Sequence, residues 1–170
     1  MNNNCKPKNM IRKPVDKSDK YTYSLGLVDQ ATSFIGMSKY RLMENDFAYD
    51  FLHSCQIKMF SIGDGISDKS DKITKEDIED IQNVISSLES FVEDKDFVLS
   101  DKMAHLDVCR SAVRMLEISI YQLDVVLLAN TLDYLNRLSK ALWLLARYLE
   151  GGSLHLDKKN SERMFYGFNS

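Results

Sequence analysis

Proline and glycine are scarce in this sequence. Its 170 residues include two prolines, Pro7 and Pro14, and seven glycines, the first of which is Gly26. Because both residue types interrupt helices, their scarcity leaves long segments that favour helix. The hydrophobic fraction of 44% and the charged fraction of 28% are ordinary for a globular protein, and this length suffices for one domain with its own core. We therefore expect an all-α fold.

The sequence also has few cysteines, a small net charge and no long apolar runs. The three cysteines, Cys5, Cys55 and Cys109, have an odd count and no CxxC spacing, which predicts reduced thiols in a cytoplasmic protein rather than a disulfide framework. A net charge of −3 and a pI near 5.6 argue against a nucleic-acid partner. The apolar runs are short and broken by charges, so we expect no membrane partner and no signal peptide.

Several familiar catalytic motifs are missing. The sequence contains no HExxH, no nucleophile elbow, no Walker A motif and no internal repeat. The three histidines, His53, His105 and His155, lack ligand partners at metal spacing, which argues against a zinc site. The common metalloprotease, serine hydrolase and P-loop chemistries are therefore not expected.

Apolar residues at three- and four-residue spacing predict five amphipathic helices. These are Tyr21 to Arg41, Asp46 to Ile62, Ile78 to Val92, a helix that carries Ala104 to Glu117, and Asn130 to Leu149. We expect the second helix to end at the GDG sequence, the third to begin with a capping box of Thr74 and Asp77, and the fifth to have Asn130 as its N-cap. The charged loop from Asp94 to Asp101 contains a short apolar segment. We expect this segment either to close the end of the bundle or to contact a ligand.

The N-terminal residues 1–20 are cationic, with five lysines and one arginine. Their composition is typical of a disordered tail. The alternative, which would give them a function, is a flexible arm that closes over an anion. We divide the chain into this arm, residues 1–20, and a single helical-bundle domain, residues 21–170, which ends in a second extended tail.

Polar side chains lie beside the apolar seam of the fourth helix. Arg110, Arg114 and Glu117 share one stripe, next to the seam of Leu106, Cys109, Val113, Leu116 and Ile120. Asn136 interrupts the leucine-rich face of the fifth helix, where a buried amide needs a partner. These residues would suit a polyanionic ligand, and a structural ion network explains them equally well. Asp29 on the first helix is a lone acid, which is most often solvated.

Four blocks of the sequence match motifs of one known family. VDQATSFIG (Val28 to Gly36) is similar to VDELNSxIG, and AHLDVCRSAVRMLE (Ala104 to Glu117) is similar to AxLHVARTVCRRAE. LDYLNRLSKALWLLAR (Leu132 to Arg147) is similar to LxYLNRLSDxLFxLAR, and KNSERMF (Lys159 to Phe165) resembles the C-terminal tail of some members. In all four blocks the chain resembles the PduO-type ATP:cob(I)alamin adenosyltransferases, also called corrinoid adenosyltransferases.

The resemblance implies a five-helix bundle that assembles as a homotrimer, with active sites between neighbouring subunits. Enzymes of this family transfer the 5′-deoxyadenosyl group of ATP to reduced corrinoid cobalt, which yields adenosylcobalamin and triphosphate. ATP and cobalamin are therefore the implied substrates, and Mg²⁺ the implied metal.

The resemblance also implies roles for individual residues. Arg114, Glu117 and Asn136 would hold ATP, with Glu117 near its Mg²⁺, and Lys17 stands where the family has a lysine that reaches ATP. On the corrin side, Arg110 would pair with Asp29 across the subunit interface. Phe97 would cover the lower face of the cobalt, and Phe165 of the C-terminal tail would approach the corrin ring.

The chain also departs from the family pattern. The TGDxGxT loop, which wraps the triphosphate with backbone N–H groups, has no counterpart in residues 1–16, and the PGG turn after the loop phenylalanine is replaced by FVLSDKM. Lys140 replaces the aspartate after YLNRLS. Lys6, Lys8, Arg12 and Lys13 are candidate substitutes for the missing phosphate contacts. A non-catalytic corrinoid-binding or delivery paralogue is therefore the alternative hypothesis, and a helical scaffold without either ligand is the third.

Overall fold

The computed structural model describes residues 19–92, 102–123 and 125–150. Five α-helices account for most of these residues: α1 (Lys20–Arg41), α2 (Asp46–Asp68), α3 (Lys75–Glu89), α4 (Ala104–Ile120) and α5 (Ala129–Glu150). A short 3-10 helix, Val125–Leu128, precedes α5, and the described residues contain no strand. The all-α, five-helix prediction is confirmed. No helix in this part of the chain is long and apolar enough to cross a membrane.

The helices pack in the order α2, α1, α4, α5 and α3, so that α4 and α5 lie side by side. The predicted seam of α4, from Leu106 to Ile120, is fully buried. Along α1 the buried positions are Ser24, Val28, Ala31, Ile35 and Ser38. The small residues in this set allow α4 to approach closely: the Ser38 hydroxyl lies 3.1 Å from Cys109 Sγ and 3.2 Å from the backbone oxygen of His105.

Helix α2 does not end at Gly63–Gly65, so this prediction was wrong. The helix continues to Asp68 and ends at Lys69, whose φ of 54° lies in the left-handed region. The chain then folds back closely over Gly65, where a Cβ would lie 2.9 Å from the Ser70 carbonyl oxygen. Glycine therefore serves close packing here, and the extra helical turn buries Ile66 completely.

Helix α3 begins with the predicted capping box. The Thr74 hydroxyl accepts a hydrogen bond from Asp77 N at 3.2 Å, and Asp77 Oδ2 accepts one from Thr74 N at 2.9 Å. The Asp77 carboxylate also pairs with the Lys58 ammonium of α2. Burial alone would raise the pKa of Asp77, but hydrogen bonds from Lys58 and Thr74 outweigh burial and hold this pKa below its ordinary value of 3.8.

The lowered pKa of Asp77 predicts a specific loss of stability in acid. Ionised Asp77 stabilises the fold above the unfolded-state pKa, and this contribution is lost as the pH falls through the lower folded-state value. We expect Asp77→Asn to lower the free energy of unfolding at pH 7, and its difference from wild type to shrink below about pH 4. Urea unfolding at pH 7, 4.5 and 3 measures this. Asp80→Asn, an exposed carboxylate on the same helix, is the control, and equal pH profiles for the two variants would contradict the assignment.

Helix α5 begins one residue before its predicted N-cap, and the cap comes from a distant residue. Asp71, in the connector between α2 and α3, accepts hydrogen bonds from Asn130 N at 2.7 Å, Thr131 N at 3.1 Å and the Thr131 hydroxyl at 2.7 Å. Asn130 instead donates its side-chain amide to the Ile73 carbonyl at 2.8 Å. The prediction of Asn130 as N-cap was therefore wrong, because a carboxylate from elsewhere in the chain satisfies these N–H groups.

Candidate functional site

Three of the predicted site residues meet between α4 and α5. Arg114 Nη1 donates to Glu117 Oε2 at 2.8 Å, and Asn136 Nδ2 donates to Glu117 Oε1 at 3.2 Å. Glu117 joins the two helices because each of its oxygens accepts from a different residue. The sequence placed Arg114 and Glu117 on one face, and the contact with Asn136 required the packing of α4 against α5.

The burial of these three side chains differs sharply. Glu117 is only 6% exposed at its side chain, whereas the Arg114 side chain is 45% exposed. Asn136 is exposed rather than buried, so its predicted burial was wrong. The exposed Asn136 amide still reaches the buried Glu117 carboxylate, because Asn136 lies on α5 next to α4. The result is a fixed acceptor, Glu117, that orients a guanidinium and an amide towards solvent.

Arg110 lies further along the same stripe, in a different ion pair from the predicted one. Its Nε is 3.5 Å from Asp107 Oδ1, and both side chains are largely buried. Helices α4 and α5 are antiparallel here. Arg110, seven residues before Glu117 on α4, therefore faces Trp143, seven residues after Asn136 on α5. Arg147 follows one turn later and pairs with Glu150 at 3.2 Å.

Asp29 lies on the exposed side of α1 and makes no hydrogen bond or ion pair with Arg110 within the described chain. A contact between the two would need a second copy of the chain, so the pairing stays a prediction. Lys17, Phe97 and Phe165 lie outside the described residues, as do Lys6, Lys8, Arg12 and Lys13. Lys140, at the departure from the family pattern, pairs with Glu89 of α3 at 2.7 Å.

An open pocket of about 360 Å³ adjoins Asn136 at the start of α5. Its lining consists of Tyr121, Ala129, Leu132, Asp133 and Asn136. Apart from Asn136, the sequence analysis missed these residues. The signal that could have found Tyr121 is its position, four residues beyond Glu117, on the stripe that already carries Arg110 and Arg114.

The N-terminus of α1 lies at the same end of the bundle as this pocket. Lys20 Nζ donates to the Gln122 carbonyl at 2.8 Å, directly after the end of α4. Residue Gln122 follows Tyr121, which lines the pocket. Lys20, the first residue of α1, therefore lies next to the candidate site.

The titratable groups behind the site are held neutral. Burial raises the pKa of Cys109 to about 11 and that of Cys55 to about 12. Both thiols are therefore protonated near neutral pH, and only a thiolate is a good nucleophile. Burial, and then the nearby Arg41, lower the pKa of His105, so this imidazole is also neutral. These three residues pack within the bundle.

Comparison with known families identifies the family of the chain. The sequence model of the cobalamin adenosyltransferase family matches residues 8–149. The chain belongs to this family. Its match spans α1 to α4, nearly all of α5, and part of the cationic segment before α1. No curated protein matches the chain.

Membership of the cobalamin adenosyltransferase family implies ATP and a corrinoid as substrates. An exposed arginine fixed by a buried carboxylate is well suited to the phosphates of ATP. Within the described ranges, no group of three or more metal-binding side chains occurs.

Proposed function

We propose that this chain is a PduO-type corrinoid adenosyltransferase, which transfers the 5′-deoxyadenosyl group of ATP to reduced corrinoid cobalt and releases triphosphate. The observation that carries the proposal is the contact of Arg114 and Asn136 with the buried Glu117, in a chain of this family. Glu117 holds both donors in place before substrate arrives, which is the arrangement expected of a preorganised site.

The chemistry explains why these residue types are needed. The reduced cobalt attacks C5′ of ATP, a Co–C bond forms, and the C5′–O bond breaks with its electron pair leaving on the triphosphate. Negative charge therefore gathers on the leaving group, where Arg114 and Asn136 can donate hydrogen bonds. Mg²⁺ bound to the phosphates, with Glu117 nearby, would supply further stabilisation of this charge.

The cationic N-terminal segment provides the remaining phosphate contacts in our proposal. Lys20 is anchored beside the end of α4. Lys17 precedes it by three residues, a reach of about 10 Å. Lys6, Lys8, Arg12 and Lys13 would then take the place of the backbone N–H groups of the missing TGDxGxT loop. Lysine and arginine side chains can neutralise the triphosphate, although they orient it less strictly than the backbone N–H groups of a glycine-rich loop do.

A homotrimer with sites between subunits accounts for the outer surface of α4. Beside the polar stripe, Val108, Met115 and Ile118 are each at least 41% exposed, and they repeat at helical spacing. Exposed apolar side chains in a row are typical of a protein interface. The outer face of α1, which carries Asp29, also exposes Tyr23, Met37 and Tyr40. We infer that α1 of one subunit meets α4 of the next, with Phe97 and Phe165 completing the corrin side.

This arrangement predicts energetic coupling between Asp29 and Arg110. The single variants Asp29→Ala and Arg110→Ala should each weaken corrinoid binding, and the double variant should weaken it by less than the sum of the two losses. Fluorescence or calorimetric titration with cobalamin measures the cycle, and sedimentation velocity reports the oligomeric state of each variant. Asp50→Ala, an exposed acid on α2, serves as the control. Additive losses would show that Asp29 and Arg110 do not meet.

A direct assay tests the proposed activity. Mixing the protein with ATP, Mg²⁺ and chemically reduced cobalamin should convert the visible spectrum to that of adenosylcobalamin and release one triphosphate per adenosyl group. Cobalamin binding without triphosphate release would favour the corrinoid-binding paralogue. The missing phosphate loop is the observation that suggests this alternative. Absence of heat with either ATP or cobalamin would favour a helical scaffold and overturn the proposal.

A further inference from the structure

A second cavity, with a volume of about 230 Å³, lies between α2 and α3. These helices are the two outermost in the packing order, and the ion pair of Lys58 and Asp77 joins them. The buried Tyr134 of α5 forms the inner side of the cavity. The cavity shares no lining residue with the pocket beside Asn136, and it is separate from the α4–α5 face.

The walls of this cavity are mostly aromatic and aliphatic. Phe47 and Phe51 lie one turn apart on α2, and their buried rings are nearly parallel, with centroids 6.5 Å apart. Ile81 and Val84 line the side formed by α3. An apolar cavity of about 150 Å³ is large enough for benzene. The space between α2 and α3 therefore has room for one aromatic ring and a short side chain.

The charged groups of the cavity carry a net negative charge. They are one ammonium, Lys58, and two carboxylates, Asp77 and Asp80. Lys58 is already paired with Asp77. Asp80 is exposed and has no hydrogen-bond or ion-pair partner among the described residues. One carboxylate at the cavity is therefore left to pair with a cation from outside the chain.

The inner side of the cavity is neutral, and its polar atoms are already paired. The Tyr134 hydroxyl and the Cys55 thiol form a hydrogen bond with each other. Burial raises the pKa of Cys55 to about 12. Burial, then Cys55, and then the charges of Asp77 and Asp80 raise the pKa of Tyr134. Both groups therefore stay protonated near neutral pH, and this side suits an apolar ring.

We propose that the cavity binds a small aromatic amine. Its ring lies between the aromatic wall of α2 and the aliphatic wall of α3, and its ammonium group pairs with Asp80. An aromatic carboxylate of the same size would meet two carboxylates of like charge, which disfavours it. The site needs neither ATP nor a corrinoid, so this inference goes beyond the proposed function and does not depend on it.

Three probes of similar size test the ligand class: 2-phenylethylamine, 2-phenylethanol and phenylacetate. Ligand-detected NMR titration of the full chain at pH 7 and low ionic strength measures the three dissociation constants. We expect a dissociation constant of about 1 mM or tighter for the amine. Binding should be about threefold weaker for the alcohol and at least about tenfold weaker for the carboxylate.

Two pairs of variants locate the site and its charge. Val84→Phe fills the cavity and should abolish binding of all three probes, whereas Ile57→Phe, on the exposed side of α2, should bind them as wild type does. Asp80→Asn should remove the advantage of the amine over the alcohol. Glu79→Gln changes the neighbouring carboxylate, which does not line the cavity, and should keep that advantage. Circular dichroism shows that each variant is folded.

The outcomes separate the site from its ligand class. Unchanged binding to folded Val84→Phe, or no saturable binding of any probe, would overturn the site. Equal affinities for the amine and phenylacetate, or an unchanged preference in Asp80→Asn, would overturn the assignment of an aromatic amine. Adenosyl transfer, measured on the same samples, tests the proposed function separately, because neither Val84 nor Asp80 belongs to the α4–α5 face.

Discussion

Replacing Arg114 by alanine should lower kcat/KM for ATP by about ten- to a hundredfold, the value of one or more charge-assisted hydrogen bonds to phosphate. The Arg114 side chain is 45% exposed and already oriented by Glu117, so it can reach a nucleotide without rearrangement. Steady-state rates of adenosylcobalamin formation, at saturating reduced cobalamin and varied ATP, measure the loss.

Two comparison variants separate charge from geometry. Arg114→Lys keeps the positive charge but lacks the planar fork of the guanidinium, so it should recover only part of the lost activity. Lys75→Ala removes an exposed cation at the start of α3 and should leave kcat/KM unchanged. Normal turnover by Arg114→Ala would show that the arginine is a structural partner of Glu117 and does not contact ATP.

The second large effect concerns stability. Asp71→Ala should lower the free energy of unfolding by about 2–4 kcal/mol, because it removes the cap of α5 and a charged group that accepts several hydrogen bonds. For a domain of this size, that change corresponds to a fall of roughly 5–10 °C in the unfolding midpoint. Urea titration and thermal unfolding monitored by circular dichroism at 222 nm measure both quantities.

A neighbouring acid provides the control for Asp71. Asp68 pairs with Lys72 at 3.1 Å on the exposed end of α2, and exposed pairs contribute about 0–1 kcal/mol, so Asp68→Ala should have little effect. Asp71→Asn keeps one carbonyl acceptor and should fall between the two alanine variants. Equal stability of Asp71→Ala and Asp68→Ala would contradict the role of Asp71 as the link between the α2–α3 connector and α5.

Most of the fold could be predicted because helix formation depends on local spacing. The seam from Leu106 to Ile120 and the capping box of Thr74 and Asp77 involve residues within a few positions of one another. Apolar residues three and four apart must share a face on any helix, whatever it packs against. The sequence therefore determined the helices, their inward faces and the common stripe of Arg110, Arg114 and Glu117.

Two of the incorrect predictions concern the ends of helices. Helix α2 continues through Gly63 and Gly65, and the Ser70 backbone packs against Gly65 in the space that a side chain would fill. Asn130 was a reasonable N-cap by composition, but Asp71, about 60 residues earlier, supplies the cap. The cap by Asp71 leaves no local pattern, since the connector and the start of α5 meet only after the bundle has formed.

The site divides in the same way. Motif resemblance and spacing identified Arg110, Arg114, Glu117 and Asn136 from the sequence, since each falls within a matched helical block. Only the packing of α4 on α5 decided that Glu117 is the buried acceptor joining Arg114 to Asn136. The pocket of Tyr121 and Asp133 likewise exists only where the two helices meet. A sequence sets which side chains share a face of one helix, and the contact between two helices sets which of those side chains can act together.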